Sequence, residues 1–417
     1  MAEMATSDVA QRFNAAIERI DGGVTAPLGF ASAAVHCGIK AKSGALDLAI
    51  IAADARVPAA GLFTLNLAKA APVIVSRQHL ERASNRARAI VVNSGCANAC
   101  TGEQGMADAR EMARAAADAL GCDAEDVLVA STGVIGVALP MAKVSNGIRD
   151  AASRLTRSAG SDTARAIMTT DPFPKEHAVA LQTATGRFVV GGTAKGSGMI
   201  EPNMATMLGF VTTDAQVPPA LLRRALRESA RTTFNAITVD GECSTNDSLF
   251  AMASGAAGVT IDEDSYPALV EGLTAVSRAL ALGIVRGGEG ATKLIAITVS
   301  DARTENDARQ IARTIANSPL VKTAVHGADP NWGRIVAAAG RSGVLFDIDR
   351  TTVHVGGVLL FENGLPHDAA APQAADHLKG ADIRIDLHVG AGGGASATIW
   401  TCDLSAEYVR INGEYRT

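Results

Sequence analysis

The chain has 417 residues, of which 47% are hydrophobic, 19% charged and 4% aromatic, enough apolar material for a large globular unit and too much for a disordered chain. Its net charge of -5 argues against a nucleic-acid surface, since phosphate backbones require a clustered positive field and the sequence shows none, so a small molecule is the expected partner and nucleic acid is not. No stretch reaches the roughly 18 uninterrupted apolar residues of a membrane span, and the start MAEMATSDVAQRF lacks the basic-then-apolar form of a signal peptide; the expectation is no membrane and a cytoplasmic location.

Strand and helix signals alternate along the chain. LAIIAA from Leu48 and AIVVN from Ala89 read as strands. Thr101 is placed to cap a helix through MADAREMARAAADAL, and Gly121 to close it. VLVA from Val127 reads as another strand. Pro218 and Pro219 open the helix PALLRRALRESA, where a missing N–H costs least. AITVD from Ala236 is a further strand expectation, followed by the helix YPALVEGLTAVSRALAL, the strand LIAITV from Leu294 and the helix ENDARQIARTIANS. TVHVGGVLLF, IRIDLHVG and SATIWTCDL alternate in polarity, as antiparallel strands with one covered face do. The pattern predicts an α+β layered sandwich, with mixed or antiparallel sheets covered by helices and a smaller C-terminal α/β part. A doubly wound parallel fold fits less well. No Pro/Ser-rich linker divides the chain.

The six cysteines, at 37, 96, 100, 122, 243 and 402, form no CxxC pair and read as reduced thiols. Cys96 and Cys100 could share a helical face, but no histidine lies near to complete a metal set. The eight histidines form no HxxxH or HExxH pair. Neither a metal nor a cofactor is expected. GGEGATK superficially resembles a phosphate loop, yet Gly290 is followed by Ala291, Thr292 and Lys293, an order that does not fit.

The densest glycine segment is AKGSGMIEPNMATMLGFVTTDA, from Ala194 to Ala215. Gly196 and Gly198 permit backbone angles closed to other residues, and Pro202 biases Glu201 toward extended geometry, so a rigid loop leads into the apolar run MATMLGFV. Thr206 stands where loop meets strand. Locally it reads as an ordinary β-branched strand residue.

The segment as a whole changes that reading. KGSGMIEPNMATML resembles the cleavage and nucleophile motif of the ornithine acetyltransferases, or bifunctional glutamate N-acetyltransferases. The resemblance recurs in NSGCANACTG at Asn93, STGVIG at Ser131, MTTDPFPK at Met168, DGECSTNDS at Asp240, GGEGATK at Gly287, GADPNWGR at Gly327 and YVRINGEYRT near the C-terminus.

This resemblance implies self-cleavage between Ala205 and Thr206, giving fragments 1–205 and 206–417 that form one intertwined globular unit, two copies of each making a heterotetramer. Thr206, once N-terminal, would be the nucleophile, its own α-amine serving as base. Thr132 and Gly133 are implied as oxyanion donors. Thr169, Lys195, Thr206, Glu289, Asn412 and Thr417 are implied as substrate contacts, with Lys195 suited to a carboxylate and Glu289 to an amine. The implied reaction moves the acetyl group of N-acetylornithine to glutamate through an acetyl-Thr206 intermediate, in arginine biosynthesis. Acetyl-CoA enters only as a second acetyl donor, a role the motifs leave open. The rival reading is an N-terminal-nucleophile amidase or aminopeptidase, in which water intercepts the same acyl-enzyme. The chain departs from the family's common pattern at Leu65, Leu67, Cys96, Glu201 and Cys243.

Overall fold

The computed structural model describes residues 16–201 and 207–414. Its strands are β1 (Ala16–Ile20), β2 (Phe30–Val35), β3 (Leu48–Phe63), β4 (Arg86–Cys96), β5 (Val127–Val134), β6 (Lys175–Thr183), β7 (Gly186–Lys195), β8 (Leu208–Thr213), β9 (Ser248–Ala253), β10 (Leu294–Ala302), β11 (Thr352–Val355), β12 (Val358–Glu362), β13 (Leu365–Pro366), β14 (Asp382–His388) and β15 (Ala395–Cys402). The first nine make one mixed sheet in the order β1-β6-β7-β8-β9-β3-β4-β5, with β2 also on β3. β8 pairs parallel with β9 and antiparallel with β7, so strands from either side of residues 205 and 206 lie side by side.

β3 turns this sheet into two facing layers. Leu48–Ala52 pair with β4, the register breaks between Ala52 and Val57, and Ala59–Phe63 pair with β9. Pro58, which has no N–H for a ladder, sits just past the break. Ala49 and Ile51 of β3, Ile90 of β4 and Leu128 of β5 then meet Leu208, Phe210, Phe250 and Met252 of β8 and β9 in one buried cluster. Phe210 stacks on Phe250 with ring centroids 6.1 Å apart.

The alternate residues face outward onto helices. Leu48, Ile50, Val91 and Val129 pack under the helices Gly102–Leu120 and Met141–Ser153. Val179, Leu181, Val190, Val211 and Leu249 pack under Pro219–Arg231 and Tyr266–Arg286. The layers therefore run helix, sheet, sheet, helix. Because both strand faces are covered, LAIIAA and VLVA read as continuous apolar runs instead of alternating ones. Tyr266–Arg286 is long and apolar enough for a membrane span, but Leu269, Leu273, Val276, Leu280 and Ile284 are buried against the sheet.

The C-terminal part is a six-stranded sheet, β13-β12-β11-β14-β10-β15, with β10 and β14 parallel. Ile383, Ile385 and Leu387 of β14 point into its core under the helices Glu305–Ala316, Pro319–His326, Trp332–Gly340 and Ala371–Leu378, while Asp382, Arg384 and His388 are exposed. Trp400 packs against the cores of both parts. The α+β layered architecture with a smaller C-terminal α/β part is as the sequence implied.

Three local expectations are corrected. AITVD is not a strand: a 3-10 turn covers Phe234–Ala236, and only Ile237 bridges to Trp400. Thr101 occupies the N-cap position without capping, because its hydroxyl donates to Asn98 Oδ1 at 2.7 Å. Gly121 does close the helix in the left-handed conformation, φ 66°. Cys96 and Cys100 share no helix, Cys96 ending β4 and Cys100 standing in the loop beyond.

Candidate active site

A cleft with about 880 Å³ of empty space, partly open to solvent, lies where β5, β7 and β8 meet the C-terminal part. Thr132, Gly133, Thr169, Lys195, Glu289 and Asn412 all line it, as do Ile200, Met207 and Leu208. Six sequence-derived positions, distant along the chain, are thus brought together. Ala205, Thr206 and Thr417 lie outside the described residues.

Thr132 and Gly133 emerge at the end of β5 after the buried run VLVA. β5 lies parallel to β4, with Ser94 opposite Thr132 and Gly95 opposite Gly133. Gly133 has φ 129°, and a Cβ there would stand 2.3 Å from the Gly95 carbonyl carbon, so only glycine lets the two strands approach. Asn246 ties β5 to the loop after β4, its amide donating to the carbonyls of Ala97 and Ser131 at 2.5 and 2.9 Å.

Lys195, at the end of β7, is buried and donates to the hydroxyls of Thr132 (3.2 Å) and Thr169 (2.9 Å). A threonine oxygen that accepts in this way still has its own O–H to offer. Thr132 can therefore donate to charge developing in the cleft, and Lys195 retains a third N–H.

Beneath Thr169 lies a buried ion pair. Asp171 accepts from Lys175 Nζ at 2.6 Å, from Gly196 N at 2.7 Å and from Thr169 N at 3.0 Å, with both side chains almost wholly enclosed. Burial alone would push this carboxyl up, but the Lys195 and Lys175 ammoniums and the hydrogen bonds outweigh it and hold its pKa at about 2. For Lys175 burial prevails over Asp171 and lowers the ammonium below its usual range.

Glu289, which also lines the cleft, follows the helix Tyr266–Arg286. Its Oε1 accepts from the Thr170 hydroxyl at 2.7 Å and its Oε2 from Asn412 Nδ2 at 2.8 Å. Asn412 lies on the helix Ala406–Glu414. That helix comes close because Gly290 has φ 67°, and a Cβ there would meet Tyr408 N at 2.5 Å. Asp240 takes the amides of Met199 and Ile200 at 2.7 and 2.8 Å and the Tyr408 hydroxyl at 3.3 Å.

Asp247 is fully buried on the cleft wall, and among the described residues its Oδ2 has no hydrogen-bond partner. Burial raises this carboxyl well above the ordinary range, outweighing Ser244 and the nearby Lys195. Sequence reasoning did not single out Asp171, Asp240, Asn246, Asp247 or Tyr408. Each lies inside a motif block it had quoted, but no spacing marked the individual residue. Leu65 and Leu67 are exposed, with Asn66 between them donating to the Cys243 carbonyl at 2.8 Å. Among the described residues no group of His, Cys, Asp and Glu could hold a metal ion.

The ArgJ family model matches residues 31–417. The arginine biosynthesis bifunctional protein ArgJ of Symbiobacterium thermophilum is 50% identical over 407 residues, covering 96% of this chain and 100% of the relative. That of Dehalococcoides mccartyi is 51% identical over 401 residues, covering 95% and 98%. Among solved structures, ornithine acetyltransferase complexed with ornithine from Mycobacterium tuberculosis is 44% identical, covering 46% of this chain and 100% of that one, with a TM-score of 0.42.

Proposed function

The chain belongs to the ArgJ family, and on that premise we propose that it is a bifunctional glutamate N-acetyltransferase, moving the acetyl group of N-acetylornithine to glutamate through Thr206. The observation that carries the reading is the convergence of Thr132, Gly133, Thr169, Lys195, Glu289 and Asn412 on one cleft that Ile200 and Met207 also line, on either side of the proposed cleavage site.

The chemistry begins with maturation. The Thr206 hydroxyl adds to the Ala205 carbonyl carbon, the C–N bond breaks, and the hydroxyl proton passes to the freed amine. Water opens the resulting ester, leaving an Ala205 carboxylate and an N-terminal Thr206. The freed α-amine, with an ordinary pKa of about 8, then takes the proton from Thr206 Oγ as it attacks the acetyl carbonyl. Thr132 O–H and Gly133 N–H steady the oxyanion, a role worth about 3 to 4 kcal/mol for one donor. The oxyanion collapses with loss of the amide C–N bond, and ornithine leaves carrying the proton from that amine. The glutamate amine then attacks the acetyl-Thr206 ester, the C–O bond breaks, and the amine's proton passes through the α-amine back to Thr206 Oγ.

A cleft lined by both a cation, Lys195, and a carboxylate, Glu289, suits a zwitterionic substrate. Lys195 supplies an N–H for the α-carboxylate and Glu289 an acceptor for an amine. Amide is exchanged for amide, so no external energy source is required. Assembly of two copies of each fragment, a cytoplasmic location and acetyl-CoA as the second acetyl donor belong to the same proposal. The test is to incubate pure protein with glutamate and either N-acetylornithine or acetyl-CoA, measuring N-acetylglutamate and free acetate. N-acetylglutamate is expected. Free acetate as the main product would favour an amidase.

A further inference from the structure

We propose that Glu201 is a positioning residue for self-processing: its carboxylate ties the chain four residues ahead of the Ala205–Thr206 bond to Arg313 and Asn317, where the helix Glu305–Ala316 ends. The inference rests on the self-cleavage reading above.

Glu201 Oε2 accepts from Asn317 Nδ2 at 2.6 Å, and Arg313 Nη1 stands 3.3 Å from Oε1. The two charged side chains are only 17% and 21% exposed, so this pair is largely shielded from solvent. Arg313 Nη2 donates to the Asn235 carbonyl at 2.6 Å, and Arg309 reaches the same carbonyl at 3.4 Å. Two guanidiniums therefore converge here. Arg309 is paired with Glu305 at 3.2 Å, so removing the Glu201 carboxylate would leave Arg313 largely buried without a carboxylate partner of its own, an arrangement that local structure relieves by moving.

The backbone leading to Glu201 is held as well. Asp240 takes the amides of Met199 and Ile200, and Val239 N donates to the Ile200 carbonyl at 2.7 Å. Thr238 Oγ1 lies 3.1 Å from that carbonyl and 2.8 Å from Asn317 Oδ1. Met199 takes the left-handed conformation, φ 57°, which the residue adopts only where its surroundings impose it. The Glu201 link fastens this held segment to the helical layer of the second sheet.

The consequence is kinetic. Attack of Thr206 Oγ on the Ala205 carbonyl carbon, with C–N cleavage and proton transfer to the departing amine, needs the two atoms within about 3.5 Å and aligned, and a small displacement costs orders of magnitude in rate. Once water has opened the ester, the upstream end is free and that role ends. Glu201 does not line the cleft, so turnover by matured enzyme does not use it.

The experiment follows cleavage of the full chain by intact mass after a pulse of cell-free synthesis. Glu201→Ala should slow splitting about tenfold, equivalent to about 1.4 kcal/mol on the barrier, and Asn317→Ala should slow it in the same direction. Glu201→Gln should slow it less, because its amide oxygen still accepts from Asn317. Matured Glu201→Ala enzyme should keep wild-type kcat and KM. Wild-type splitting rates in Glu201→Ala would overturn the proposal; if that variant does not fold, the same result in both Glu201→Gln and Asn317→Ala would do so. A matured Glu201→Ala enzyme whose kcat fell by the same factor would also overturn it, since the residue would then serve packing in general. A wild-type chain that never splits would overturn the underlying reading as well.

Discussion

Replacing Asp171 by Asn tests whether the buried pair beneath Thr169 sets the geometry of the cleft. The substitution keeps volume but removes the charge opposite Lys175 and Lys195 and disturbs the amides of Thr169 and Gly196. A carboxyl whose pKa falls from an ordinary 3.8 to about 2 on folding contributes about 2 kcal/mol at neutral pH. Leaving Lys175 unpaired in a nearly dry site adds to the loss, for about 3 to 5 kcal/mol in all. The sign follows from the lowered pKa: the stabilisation is present above 3.8 and is lost as pH falls toward 2. Urea unfolding of wild type and Asp171→Asn at pH 7 and at a series of lower pH values measures this directly. The wild-type advantage should be full at pH 7 and shrink as pH drops below 4. A stability difference under about 1 kcal/mol at pH 7, or one independent of pH, would refute the reasoning.

Thr132→Val should lower the kcat of matured enzyme by about 10²–10³ with little change in KM, while Thr132→Ser restores most of the rate, as steady-state N-acetylglutamate production would show. Gly198→Ala should raise KM for N-acetylornithine about tenfold, since a Cβ there would stand 2.4 Å from Glu289 Oε2, which Thr170 and Asn412 hold in place; an unchanged KM would count against Glu289 as an amine site. Asp247→Asn should become more stable relative to wild type as pH rises above 3.8, because native Asp247 keeps a proton that the unfolded chain has lost. Melting temperatures from pH 4 to 9 should diverge in that direction, and parallel curves would argue against a protonated Asp247.

The sequence showed the layers more clearly than their joints. LAIIAA and VLVA could be read because burial on both faces makes a strand a continuous apolar run, and Tyr266–Arg286 because its apolar spacing serves one sheet. AITVD has β-branched residues that suit a strand, but its polar backbone is spent elsewhere: Thr238 N donates to the Trp400 carbonyl and Val239 N to that of Ile200. Such partners come from distant parts of the chain and leave no local period. β6 and β7 were not anticipated at all, since KEHAVALQT and GRFVVGGTAK mix polar residues and glycines among the apolar ones.

The cleft divides in the same way. Lys195, Glu289 and Asn412 were named through resemblance, and the fold brings them to one cleft. Asp171 and Asn246 were passed over because their work is to hold backbone groups of Gly196, Ala97 and Ser131. That role exists only once the chain has folded. Gly133 is intermediate: the resemblance named it as an oxyanion donor, but the 2.3 Å approach to Gly95 that forbids any side chain was not legible.

The central claim is that Thr206 becomes an N-terminal nucleophile and carries the acetyl group. The most direct measurement is intact mass of the purified protein after incubation with N-acetylornithine and no glutamate, followed by a chase with glutamate. The expected result is two fragments, 1–205 and 206–417, with the second heavier by one acetyl group before the chase and free of it afterward. A single unsplit chain that still makes N-acetylglutamate, or a Thr206→Ala variant with undiminished transfer, would contradict it.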